Sequence, residues 1–422
     1  MDERLNDTNH GTPPKGDAPE VMNGQENGRD DERERLLAQT YMEIEQMKAA
    51  AMEEIHSSAA AYVHMQVEQA CARAAEETRA QIYMEEQYKV ALAKEQSRQF
   101  SRLGLTLFAF FAVTFAVQLA GAAVLSVFSA ISGADLDMES PIFLMLFSAI
   151  PMYAVAFPVA VALMHMIPQR GRAGGERWSA LKLIACFVIS VGIGFLGNII
   201  GQVVNLFTSS GGSSSSLMDE MLVGGGMLLN IAVVVFAAPI VEELLFRKLL
   251  IDRIAAYGDG VAVVVSGLLF GLAHGNFSQF FYAFGIGALW AYVYVKTGNV
   301  GYTIAFHMLF NLIGGVFTVE LSKGMMGLAD PAGLEARLEL LFGMDFGPAF
   351  EVVCTLLMFA YLLFSFACMV GGAAILIACR KEIRFRPGER PIAFGRRFST
   401  VVLNPGVLLF LGGCLWMFWL QL

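Results

Sequence analysis

The chain of 422 residues is short of charge: 29 Lys and Arg and 38 Asp and Glu amount to 16% of it, against 56% hydrophobic side chains. Residues 1–100 hold 11 of the cations and 20 of the anions, which leaves 18 of each sign for the other 322 positions. The whole net charge of −9 therefore belongs to the first hundred residues. An acidic head on a neutral, apolar body excludes a basic nucleic-acid-binding surface, and the body is too apolar for a water-facing globule. Cysteine is also scarce. The six cysteines form no CxxC or Cys/His zinc spacing, and all but Cys71 lie in or at the end of apolar runs, as small core residues do. No apolar run precedes Leu103, so no cleavable signal peptide is expected and insertion relies on internal spans.

Punctuation divides what is there. Residues 1–32, with Pro13-Pro14, Gly16 and Asn23-Gly24 among mixed charges, lack apolar periodicity and read as a disordered acidic tail. Glycine and proline are then absent from Glu34 to Phe100, where Leu37, Tyr41, Ile44, Ala51, Ile55, Tyr62 and Met65 recur at roughly helical spacing. Residues 33–100 are expected to form an amphipathic cytoplasmic helix or helical hairpin. Lys48, Ser58 and Gln69 interrupt any heptad seam, so self-association through 34–100 would be weak.

Residues 101–422 form the transmembrane domain. Apolar runs recur at about 103–131, 142–167, 183–207, 221–247, 260–275, 278–296, 300–318, 350–378 and 400–420. Most reach the ~20 helical residues that cross a hydrocarbon core of ~30 Å. The polar break from His274 to Gln279 divides the longest stretch, giving nine spans, or eight without it. The expected fold is all-α: a polytopic transmembrane helical bundle with an N-terminal cytoplasmic helical extension. Arg170, Arg172, Arg177 and Lys182 in one loop, and seven cations between Arg380 and Arg397 in another, put both loops in the cytoplasm. Acidic 132–141 and Ser/Gly-rich 208–220 then face outward, with the amino terminus inside.

Ionisable groups inside spans cost ~2.5–3.5 kcal/mol on insertion scales, so each is a candidate for function. Glu243 and Arg247 are i and i+4, the favourable order for an ion pair. Glu242 projects about 100° away, next to no cation of its own helix, and is the free carboxylate available as a general base. Pro239, three residues earlier, removes a backbone donor beside it. Gly267, Gly271 and Gly275 give one helix a small-residue face, so His274 points toward a neighbouring helix with Phe270 one turn behind it. His307 and Asn311 place an imidazole and a carboxamide on one face of an apolar helix.

Taken together, Glu242-Glu243-Leu-Leu-Phe-Arg247, Phe270-Gly-Leu-Ala-His274 and His307-Met-Leu-Phe-Asn311, in that order on three spans, resemble the CAAX prenyl protease and bacteriocin-processing (CPBP, or Abi) family of intramembrane proteases. The resemblance covers roughly residues 225–318 and implies hydrolysis of a peptide bond in a membrane-associated or prenylated-type substrate, in the cell membrane of a prokaryote. It implies that Glu242 and His274 activate water, that His307 and Asn311 polarise the carbonyl and stabilise its oxyanion, and that Glu243, Arg247 and Phe270 support them. The family is commonly treated as metalloproteases. Zinc on Glu242, His274 and His307 and a metal-free glutamate mechanism both use these residues. The competing classes are a membrane scaffold or bacteriocin-immunity factor that kept the motif for packing, and an ion-coupled transporter, which the lack of an evident inverted repeat disfavours.

Depth raises a difficulty. A fifth run starting inside at Gly260 carries His274 about 21 Å along it, whereas Glu242 lies near the inner end of the fourth run. A shared site needs the fourth helix prolonged through Leu249, Leu250, Ile251 and Ile254, or a short re-entrant fifth segment. The apolar continuation favours the former.

Overall fold

The computed structural model describes residues 27–53, 59–135, 137–171, 173–208, 217–326 and 347–420. These contain helices and no strand, as the all-α expectation requires. The tail read over 1–32 lies outside the described residues up to position 26, and helix begins at Asn27; most of the outward loop 208–220 also lies outside them.

The chain divides into two compact units, Met1–Ala91 and Leu92–Leu422. In the first, α1 (Asn27–Glu53) lies beside the beginning of α2 (Ala59–Ser132), with Arg33 and Glu86 paired at 3.6 Å. Partly buried Leu37 and Ile44 on α1 lie two turns apart, and partly buried Val67, Cys71, Ala74, Thr78 and Ile82 on α2 recur every three or four residues, a narrow, mostly apolar seam on each helix.

The second unit holds the rest of α2 and the helices α3 (Pro141–His165), α4 (Ala180–Thr208), α5 (Leu217–Gly224), α6 (Met227–Tyr257), α7 (Asp259–Ala273), α8 (Phe277–Thr297), α9 (Val300–Met325), α10 (Gly347–Cys379), α11 (Phe394–Val401) and α12 (Pro405–Trp419). By length and apolarity, six of the described helices can cross a membrane, or seven when α11 and α12, bent by 65°, count as one span. The other two of the nine expected runs are α7 and α8. The first has only 15 residues, about 22 Å. The second is long enough, but Ser278, Gln279, Tyr282, Tyr292, Tyr294 and Lys296 make it less apolar. Together they form an inner hairpin. Its turn is the expected polar break: Gly275 takes a positive φ of 67°, and the Asn276 side chain accepts from the Gln279 amide to start α8.

Both basic loops gather at one end of this unit. The Arg170 amide donates to the Asp252 carbonyl (3.0 Å), the Arg390 amide to the Ala256 carbonyl (2.9 Å), and the Asp259 amide to the Arg386 carbonyl (3.1 Å), all around the turn from α6 into α7. Asp259 also receives Lys296 Nζ at 2.9 Å and Arg386 Nε at 3.2 Å. Buried Arg253 donates to the Met164 carbonyl at 2.7 Å. These contacts satisfy charges that would otherwise be stranded among Leu103, Leu250, Ile254 and Tyr257 of the main apolar core.

Candidate active site

Helix α6 resolves the depth problem by its length. Glu242 stands 15 residues before Tyr257, and His274 stands 15 residues after Asp259, on the far side of the same turn. In antiparallel helices both lie about 22 Å from that end. The fourth helix is prolonged, and no re-entrant segment is needed.

Close approach of α7 to α8 sets the lateral position. A Cβ on Gly267 would lie 2.8 Å from the Ala288 amide nitrogen, and one on Gly271 would lie 2.9 Å from Phe284 Cβ. No larger residue fits the first place without separating the helices. The expected small-residue face is thus the contact that carries Phe270 and His274 inward.

Glu243 and Arg247 are both fully buried and pair at 3.1 Å. Arg247 is held further by Nη2 on the Gly287 carbonyl (3.4 Å) and by the Phe270 ring, whose centroid is 4.2 Å from Cζ. Glu243 reaches a second partner the sequence did not indicate, His307 Nδ1 at 3.0 Å. A carboxylate paired with a guanidinium can only accept, so Nδ1 carries the hydrogen and Nε2 faces the site. Glu242 is the neighbour there, its Oε2 at 3.9 Å from His307 Nε2 and buried with no hydrogen-bond partner. The two adjacent glutamates therefore occupy different environments: Glu243 is locked, and Glu242, about a quarter exposed at its side chain, is unengaged.

His274 is oriented by the same logic. Its Nδ1 lies 2.8 Å from the Phe270 carbonyl, an acceptor only, so Nδ1 donates and Nε2 keeps its lone pair. Phe270 packs edge-on against both imidazoles, with centroids at 4.9 Å from His274 and 5.8 Å from His307. Glu242 is an electrostatic neighbour of His274.

Asn311 is placed one turn beyond His307, and its carboxamide donates to the Val234 carbonyl at 2.9 Å. The backbone explains why. Residues Ile231–Ala237 are π-helical, with the Ala238 amide bonded five residues back to Val233. The next bond in that register would run from residue 239 to Val234, but Pro239 has no N–H. Asn311 supplies the missing donor and keeps one N–H free.

The structure brings Glu242, Glu243, Arg247, Phe270, His274 and His307 together, and beside them lie three residues that the motifs do not contain. Fully buried Trp290 on α8 lies over His307, centroids 4.8 Å apart, and donates to Ser190 Oγ at 3.0 Å. Thr303 borders Glu243. Tyr153 on α3 is an electrostatic neighbour of Glu242. The one available signal was polar: a mid-span Trp or Tyr needs a partner for its N–H or O–H. For zinc, the two Nε2 lone pairs and the Glu242 carboxylate have suitable chemistry. Among the described residues, however, no three His, Cys, Asp or Glu side chains are grouped so as to hold a metal ion, and the present arrangement does not fit one.

Residues 224–313 match one family model, described as type II CAAX prenyl endopeptidase Rce1-like. No curated protein and no solved structure matches the chain.

Proposed function

Because residues 224–313 are Rce1-like and contain the whole set from Glu242 to Asn311, we propose that the protein is an integral-membrane endopeptidase that hydrolyses a peptide bond in a membrane-anchored substrate of the prenylated CAAX type. An Rce1-like segment speaks in general for an intramembrane endopeptidase. The observation that carries it is the contrast between the glutamates. Glu243 is tied to Arg247 and His307, whereas Glu242 presents a carboxylate oxygen with no protein donor.

In this reading a water lies between Glu242 and His274 Nε2. Its oxygen attacks the scissile carbonyl carbon and its proton passes to Glu242. The carbonyl oxygen becomes an oxyanion that accepts from the free Asn311 N–H on α9, the motif's one remaining donor, since the His307 N–H is held by Glu243. Collapse breaks the C–N bond, and the proton held by Glu242 goes to the leaving amine. Glu243, Arg247 and Phe270 hold the imidazoles in place. No step in this reading is routed through zinc. The basic loops, gathered at one end, face the cytoplasm together with the amino terminus.

The full-length protein in proteoliposomes, incubated with farnesylated CAAX peptides and other membrane-anchored peptides and assayed in parallel for proton flux, tests the reading. Peptide products that disappear in Glu242→Gln support it. Proton flux without cleavage, or cleavage that survives Glu242→Gln, refutes it.

A further inference from the structure

The hydrogen-bond donors facing the reacting carbonyl are fewer than the motif suggests. One Asn311 N–H is engaged by Val234, and the His307 Nδ1–H by Glu243. Helix α3, which contributes nothing to the motif, packs against α6, where Arg253 meets the Met164 carbonyl.

The register of α3 against α6 follows from one contact. Both helices run toward the basic end, and Arg253 Nε meets the Met164 carbonyl at 2.7 Å. Tyr153 lies 11 residues before Met164, and Glu242 lies 11 residues before Arg253. Eleven residues are about three helical turns, ~16 Å, so Tyr153 and Glu242 share both the height and the direction of that contact. The α6 interval contains the six π-helical residues Leu244–Leu249 and the α3 interval contains four, 153–156 of Pro151–Ala156, so most of the rotation lost on one helix is matched on the other. Fully buried Ala156, Ala160 and Met164 line the same face and let α3 approach closely. The Tyr153 and Glu242 side chains interact electrostatically, and no hydrogen bond among the described residues engages the Tyr153 hydroxyl.

We propose that Tyr153 is a further catalytic residue, whose hydroxyl donates a hydrogen bond to the oxyanion of the tetrahedral intermediate from the α3 side, opposite His307 and Asn311. This rests on the endopeptidase reading above. The π-helical turn widens α3 where the ring leaves it, and the hydroxyl meets the carbonyl beside Glu242 Oε2. The tyrosine forms and breaks no covalent bond and keeps its proton throughout.

Tyr153→Phe keeps the ring and removes only the donor. In proteoliposomes with a farnesylated CAAX peptide, its kcat should fall by about 10²–10³ with KM within about threefold of wild type. A peptide difluoroketone, which hydrates to a tetrahedral diol, should bind the variant more weakly by a similar factor, while an uncleavable ground-state peptide binds both proteins alike. Site-specific 3,5-difluorotyrosine at 153, which keeps fold and donor but ionises more readily, should move the alkaline limb of the kcat profile to lower pH. A Tyr153→Phe rate within threefold of wild type, equal weakening for both ligands, or an unmoved alkaline limb overturns the inference. Active Tyr153→Phe beside inactive Glu242→Gln removes the tyrosine's role alone. Active Glu242→Gln, or a wild-type protein that cleaves nothing, removes the endopeptidase reading and this inference with it.

Discussion

Glu243→Gln isolates the energetic difference between the adjacent glutamates. The substitution keeps shape and an accepting oxygen but leaves Arg247, fully buried, without its counter-charge. At 3.1 Å, the lost attraction is about 5 kcal/mol at an effective dielectric of ~20. The Phe270 ring and the Gly287 carbonyl retain part of the guanidinium's stabilisation, and a net loss of about 3–5 kcal/mol is the usual result of breaking one side of a buried pair. Glu242→Gln removes a carboxylate whose Oε2 has no donor and should change stability by less than about 1 kcal/mol. Equilibrium unfolding in mixed micelles, followed by helix content, measures both. The double variant Glu243→Gln/Arg247→Met should recover much of the loss, because the stranded charge disappears with its partner. Equal losses in the two single variants, or no recovery in the double, would refute the assignment of Glu243 as a locked ion pair and Glu242 as the free base.

Other consequences are as direct. Gly267→Ala should lower stability by about 1–3 kcal/mol and reduce turnover, because its Cβ meets the α8 backbone at 2.8 Å and α7 carries His274; Gly260→Ala, with nothing within 4 Å, should cost nothing in the same unfolding assay. Asn311→Ala strands the Val234 carbonyl and should cost about 1–3 kcal/mol besides lowering kcat, so unchanged unfolding would contradict the patch at Pro239. Elemental analysis of active protein should find no stoichiometric zinc, and strong chelators should leave the rate intact; reversible loss with chelation and return with zinc would reinstate Glu242, His274 and His307 as ligands. Single cysteines at Gly175 and Glu389, in a background free of native cysteines, should label from the same side of the membrane, and labelling from opposite sides would contradict the loop contacts around Ala256.

Composition and periodicity were enough for the all-α membrane bundle, since twenty apolar residues in lipid have few options besides a helix. Spacing on single helices was enough for the Glu243–Arg247 pair, for the His307–Asn311 face and for the glycine face behind His274, because i and i+4 neighbours are fixed by helical geometry whatever surrounds them. The span count was not legible: α7 and α8 are apolar runs like the others, and only their enclosure makes a short or polar helix tolerable there. Nor was the role of Asn311 at Val234, which depends on a π-helical register at Pro239. The second partner of Glu243, the ring of Trp290 over His307 and the approach of Tyr153 all join residues between 64 and 89 positions apart or on separate helices. Such contacts depend on how helices pack and slide against one another, a rigid-body choice made by side chains along the whole interface, and no local spacing encodes it.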